Sequence, residues 1–144
     1  MPGEAIAIAS DHAGFEMKSG LAAWLREQGH EVVDLGTNGP ESVDYPDFAD
    51  RMAEAVRTGR AARGVLVCGT GIGISIAANR HRELRCALCH DVTSARLARL
   101  HNDANVIAIG GRVIGDVVAR DCVEAFLSTA FEGGRHARRV EKLS

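Results

Sequence analysis

Apolar positions along the chain fall into short strand-length runs that alternate with helical stripes. Ala5–Ala9 (AIAIA) is the first apolar run, and the turn-like Ser10-Asp11-His12-Ala13-Gly14 follows it. Phe15–Gln28 carries Phe15, Leu21, Ala22, Trp24 and Leu25 at helical spacing, and Gly29 marks the stop. Val32–Leu35 predicts a second strand, and Gly36–Tyr45 a loop. Pro46 suits a helix start, with Phe48, Met52, Ala55 and Val56 periodic before Gly59. Gly64–Val67 predicts the third strand, ending at Cys68, and Ile72–Arg80 a helix. Arg85–Cys89 then predicts a strand, Val92–His101 a helix, and Asn105–Ile109 (NVIAI) the fifth strand, closed by Gly110-Gly111. Ile114–Ala130 reads as the last long helix and Phe131–Ser144 as a Gly- and Arg-rich tail. Strands alternating with helices imply a mostly parallel sheet covered on both faces. The expectation is one domain over residues 1–144, a doubly wound, Rossmann-like three-layer α/β sandwich with five strands.

Composition adds mainly exclusions. At 144 residues the chain can form a core without metal or disulfide staples. Hydrophobic residues at 46% and charged ones at 25% are ordinary globular usage. A net charge of -2 lacks the basic footprint of a non-specific nucleic-acid or membrane-surface binder, and 4% aromatics make no base-stacking platform. No apolar run reaches membrane-span length, and MPGEAIAIAS has no basic n-region followed by an apolar stretch, so no signal peptide is expected. The expectation is a cytoplasmic enzyme or small-ligand protein.

The cysteines, Cys68, Cys86, Cys89 and Cys122, do not form a secreted-domain framework, so reduced thiols are expected. Cys86-Ala-Leu-Cys89-His90 has the spacing of a c-type haem attachment site. Its apolar surroundings instead predict a buried strand whose cysteines pack in the core.

In open parallel sheets, ligands bind beyond the carboxyl ends of the strands. That rule selects Asp11 and His12 after the first strand and Cys68-Gly69-Thr70-Gly71-Ile72-Gly73 after the third. It also selects His90 and Asp91 after the fourth and Gly110-Gly111-Arg112 after the fifth. In CGTGIG, glycines at alternate positions let the backbone approach a ligand, and the next helix offers free N–H groups to an anion. No Lys-Ser/Thr pair follows, so this is not a Walker A loop. Ile74 stands where a dinucleotide fingerprint needs its third glycine and where a phosphatase loop needs its Arg. A cysteine just before a helix N-terminus is a candidate low-pKa nucleophile or base. His101 by itself reads as a helix cap, and Arg135, Arg138 and Arg139 as a charged end, although a phosphate would want such forked donors. His30, His81 and His136 are expected at the surface.

Together these motifs resemble the type B ribose-5-phosphate isomerase family, which includes allose- and galactose-6-phosphate isomerases. The matching pieces are SDHAG (10–14), DYPDFA (44–49), CGTGIGISIAANR (68–80), HNDANV (101–106), GGRVIG (110–115) and EGGRHARRV (132–140). They span nearly the whole chain in the family's order. In one branch of that family a Glu inside the Gly-rich loop replaces the Cys as base; here that position is Ile74, which places the chain in the cysteine branch.

The resemblance implies aldose–ketose isomerisation through a cis-enediolate, without metal or cofactor. It implies Cys68 as the base between C2 and C1, assisted by Thr70, with the N–H groups of Gly69, Thr70, Gly71, Ile72 and Gly73 holding the enediolate oxygen. It implies His101 as the ring-opening group and Asp11 on the ring oxygen or hydroxyls. His12, Arg112, Arg135 and Arg139 would grip the phosphate, and Asn102 a hydroxyl. It further implies a homodimer with sites built from both subunits, with pairing into tetramers left open. The leading expectation is ribose 5-phosphate to ribulose 5-phosphate. The alternatives are a hexose 6-phosphate such as allose or galactose 6-phosphate, and a non-catalytic sugar-phosphate-binding regulator.

Overall fold

The computed structural model describes residues 4–143; Met1–Gly3 of the N-terminal reading and Ser144 of the tail lie outside the described residues. The strands are β1 (Ala5–Ser10), β2 (Glu31–Asp34), β3 (Arg63–Cys68), β4 (Cys86–Leu88) and β5 (Val106–Gly110). They form one sheet in the order β2-β1-β3-β5-β4, and all four pairings are parallel. The helices are α1 (Phe15–Glu27), α2 (Tyr45–Arg57), α3 (Ile72–Ala78), α4 (Val92–Asn102), α5 (Asp116–Ser128) and α6 (Arg135–Glu141). No described helix is long and apolar enough to cross a membrane.

The period of two along each strand sorts residues into two cores. Ile6, Ile8, Val65, Val67, Ile107 and Ile109 face α1, α4 and α5, while Ala7, Ala9, Leu66, Cys68, Val106 and Ala108 face α2 and α3. Both faces are therefore dry, which is why β1, β3 and β5 read as continuous apolar runs. β4 is an edge strand, and the Asn79 side chain completes its outer rim by accepting from the Cys86 N–H at 2.8 Å and donating to the Cys86 carbonyl at 2.9 Å. The cysteines of the haem-like spacing lie on and just after this strand, and Cys89 is buried as expected; the strand itself is not, since an edge position leaves Leu88 exposed and Cys86 only half-buried.

Two further expectations change. The tail is not irregular, since Arg135–Glu141 is helical. His136 is not a surface residue: it is buried beneath that helix, against α4. His81 is half-buried and pairs with Asp50 at 2.8 Å.

Lys18 of α1 is buried, and its ammonium reaches both oxygens of Asp34 at 2.8 and 2.9 Å, with Asn38 at 3.3 Å. Asp34 also accepts the Gly36 N–H at 2.9 Å, so this pair ties α1 to the end of β2. Removing one partner strands a buried charge. Asp34→Ala should therefore lower stability by about 3 kcal/mol, whereas Lys18→Met, which removes the charge itself, should cost less. Urea unfolding of the two variants checks the order, and equal losses would assign the effect to packing alone.

Candidate active site

The strand order reverses direction at β1 and β3, so the loops after these strands splay apart and leave a crevice at the carboxyl edge. Asp11 and His12 leave β1 there, and Cys68 ends β3 there. The Asp11 N–H donates to the Val67 carbonyl at 3.2 Å, which joins the two loops directly. The buried Asp11 accepts the Gly14 N–H at 3.0 Å through Oδ1. His12 accepts the Val43 N–H at Nδ1, 3.1 Å away, so the ring proton sits on Nε2, the nitrogen left for a ligand. Nothing in the sequence marks a backbone donor as a histidine's partner, and that contact was not legible there.

Cys68 is buried, and its Sγ accepts the Gly71 N–H at 3.1 Å. Gly71 caps α3 with φ 78°, and a Cβ there would fall 2.8 Å from the Ile109 backbone carbonyl carbon, so both conformation and space demand glycine. Thr70 is exposed, and its Oγ1 accepts the Ile72 N–H at 3.1 Å, which leaves its O–H proton for a ligand. Two of the amides expected to face an enediolate are thus engaged within the loop. Those of Gly69, Thr70 and Gly73 remain. The turn after β5 closes the edge: Gly111 donates to the Cys68 carbonyl and Arg112 to the Gly69 carbonyl, each at 2.9 Å. The other thiols are poor candidates for chemistry, since burial pushes Cys86 up to about 12 and Cys122 up to about 11, and raises Cys89 as well.

The remaining expected site residues are elsewhere. α4 starts at Val92 beyond the carboxyl end of β4 and runs back antiparallel to the strands, so His101 and Asn102 lie at the amino edge. Asn105 accepts from Gly64, the start of β3, at 2.9 Å and confirms that placement. Eleven helical residues separate the two edges by roughly 16 Å. α6 lies with them, because the Glu132 N–H donates to the Leu100 carbonyl at 3.1 Å and His136 stacks on His101, ring centroids 4.3 Å apart and planes 16° from parallel. Arg135 and Arg139 are carried on this helix.

The amino-edge cluster is held by Arg99, itself buried, which donates to the Thr129 carbonyl at 3.1 Å, Asp103 at 2.8 Å and the Ala104 carbonyl at 2.7 Å. Asp103 takes the left-handed conformation (φ 46°) that ends α4 just past Asn102. His101, Glu132 and His136 bring ligand atoms within 4.8 Å of one another, the described group that could hold a metal ion. The two imidazoles are stacked, however, so their in-plane lone pairs run side by side rather than converging on one point. The expected site residues thus fall into two groups, Asp11, His12, Cys68, Thr70 and Arg112 on one edge and His101, Asn102, Arg135 and Arg139 on the other.

The family model described as Ribose/Galactose Isomerase matches residues 6–143. The chain belongs to this family of isomerases. Ribose-5-phosphate isomerase B of Escherichia coli is 48% identical over 139 residues, covering 96% of this chain and 93% of the relative. A ribose 5-phosphate isomerase from Thermotoga maritima superposes with a TM-score of 0.96 at 51% identity, covering 98% and 97% of the two chains. Ribose-5-phosphate isomerase B of Clostridium thermocellum does so with a TM-score of 0.95 at 51% identity, covering 96% and 94%. The expected α/β sandwich and the family membership both hold, and the family match spans both groups of candidate residues.

Proposed function

We propose that this isomerase interconverts ribose 5-phosphate and ribulose 5-phosphate through a cis-enediolate, in the cytoplasm. The observation that carries the reading is the Gly71 N–H directed at Cys68 Sγ, beside the unengaged Thr70 hydroxyl and the free amides of the same loop. An amide donor on sulfur stabilises the thiolate, the form able to take a proton from carbon. Cys68 removes the proton at C2 of the open-chain aldose and returns it to C1. The hydroxyl proton on O2 passes to O1, with Thr70 in position to assist. The amides of Gly69, Thr70 and Gly73 hold the enediolate oxygen as its charge develops, where such donors have their largest effect. Asp11 binds the ring oxygen or a hydroxyl, and His101 opens the ring. Asn102 holds a hydroxyl, and His12, Arg112, Arg135 and Arg139 bind the phosphate.

These roles require a second copy of the chain. A general base and a ring-opening acid–base group must each reach the same pentose at hydrogen-bond distance. The two half-sites of one chain stand on opposite edges of its sheet. A homodimer that apposes the carboxyl edge of one chain to the amino edge of its partner completes both sites. Exposed apolar residues near the carboxyl edge support such a contact: Ile72 and Ile76 lie one turn apart on α3, with Leu88 and Val92 exposed at the end of β4 and the start of α4.

The test is a substrate panel in EDTA, with kcat/KM measured for ribose 5-phosphate, allose 6-phosphate and galactose 6-phosphate. Preference for ribose 5-phosphate supports the reading. Preference for a hexose phosphate keeps the chemistry and changes the sugar, and absence of turnover points to a binding protein. Arg139→Ala should raise KM for ribose 5-phosphate by about 10- to 100-fold with a smaller change in kcat, since a charge-assisted phosphate contact is lost. An unchanged KM would move the phosphate site elsewhere.

A further inference from the structure

His90 has no place in the roles above, yet it is bonded to the back wall of the Cys68 loop. β4 pairs with β5 in register, Leu88 opposite Ala108, and the Cys89 N–H still reaches the Ala108 carbonyl at 3.1 Å. Two residues on, where a backbone carbonyl would be the next acceptor, the half-buried imidazole of His90 takes over: its Nε2 accepts the Gly110 N–H at 2.9 Å. The ring is therefore neutral in this state, with its proton on Nδ1.

Gly110 is the point at which β5 touches the catalytic loop. A Cβ on it would fall 2.5 Å from the Thr70 carbonyl oxygen and 2.9 Å from Thr70 Cα. A Cβ on Gly71 would in turn fall 3.0 Å from the Gly110 nitrogen. The two backbones are in direct contact, and the Gly71 amide is the one bonded to Cys68 Sγ. On the other side Gly110 pairs with Cys68 itself across β3 and β5. A displacement of the Gly110 peptide is transmitted to Thr70 and Gly71 because no side chain cushions the contact.

We infer that His90 is a positioning residue for the isomerisation, holding the Gly110 peptide against Thr70 and Gly71 so that the Gly71 N–H stays on Cys68 Sγ. The assignment rests on the Cys68 role proposed above. It gives the third member of the Cys-x-x-Cys-His spacing a use unrelated to haem: the cysteines lie on and just after the strand, and the histidine closes the ladder that strand is too short to complete.

The test compares His90→Leu with His90→Gln, whose side-chain carbonyl can replace Nε2 as acceptor. Two readouts are taken, the steady-state constants on ribose 5-phosphate and the rate at which iodoacetamide alkylates Cys68, mapped by mass spectrometry. His90→Leu should lose about tenfold in kcat with KM little changed, as expected for one lost positioning hydrogen bond, and its Cys68 alkylation rate should shift severalfold. His90→Gln should stay within about twofold of the parent on both readouts. A His90→Leu enzyme with parental kcat and parental Cys68 alkylation overturns the assignment, as does His90→Gln failing as badly as His90→Leu. If the leucine variant does not fold, His90→Ser, too short to reach Gly110, takes its place with the same two outcomes. Should the parent protein not isomerise ribose 5-phosphate, the alkylation rates still decide the role of His90, so its failure and that of the substrate assignment are separable.

Discussion

Cys68→Ala should lower kcat on ribose 5-phosphate by about 10²- to 10⁴-fold, the share a positioned general base contributes, while binding of a non-reacting sugar phosphate stays near that of the parent. Cys68→Ser should be nearly as poor, because a serine hydroxyl is far too weak an acid to supply the anion at neutral pH. No neighbouring thiol can stand in: Cys86 and Cys122 are held protonated by burial, and Cys89 is buried on the opposite side of the sheet from Cys68. The alanine variant leaves only a small void on the face occupied by α2 and α3, so a loss of activity without a matching drop in melting temperature isolates the chemistry. Iodoacetamide gives the complementary result. It should inactivate the parent enzyme in proportion to the Cys68 adduct, and substrate should slow both. A fully alkylated Cys68 with full activity would remove the thiol from the mechanism.

The carboxyl-edge part of the proposed site was legible because topology alone places it. Any chain alternating strands and helices in this way brings the loops after β1, β3, β4 and β5 to one edge, so Asp11, Cys68 and Arg112 could be grouped from their positions after apolar runs. The Gly-rich loop could be recognised, but not the division of its amides, since the Gly71 N–H reaches sulfur only through the loop's local backbone conformation. The separation of His101 from Cys68 follows from the same topology, because a helix that leaves one edge of a parallel sheet must end at the other. Family resemblance groups the two residues without showing that return.

What lay outside the reading is local and physical. α6 is seven residues long with three arginines, and its buried anchor is a histidine ring rather than an apolar stripe. A periodicity test tuned to Leu and Val passes over it. His136 is buried because it stacks on His101, a contact between residues 35 positions apart that no spacing rule reports. β4 has three residues, too few to show alternation, and is completed by Asn79 and His90 through their side chains.

The proposed sharing of one site between two chains predicts complementation between variants of the two edges. Cys68→Ala disables the carboxyl edge and His101→Ala the amino edge, so each variant alone should be nearly inactive. Co-expressed with different affinity tags and purified as verified mixed dimers, the pair should regain activity. Each mixed dimer pairs an intact Cys68 from one chain with an intact His101 from the other at one of its two sites, so it should reach about half the parental rate per dimer. A rate near half establishes that the site is assembled from two chains. Verified mixed dimers no more active than either variant alone would mean that each chain carries a complete site, contradicting the shared-site account.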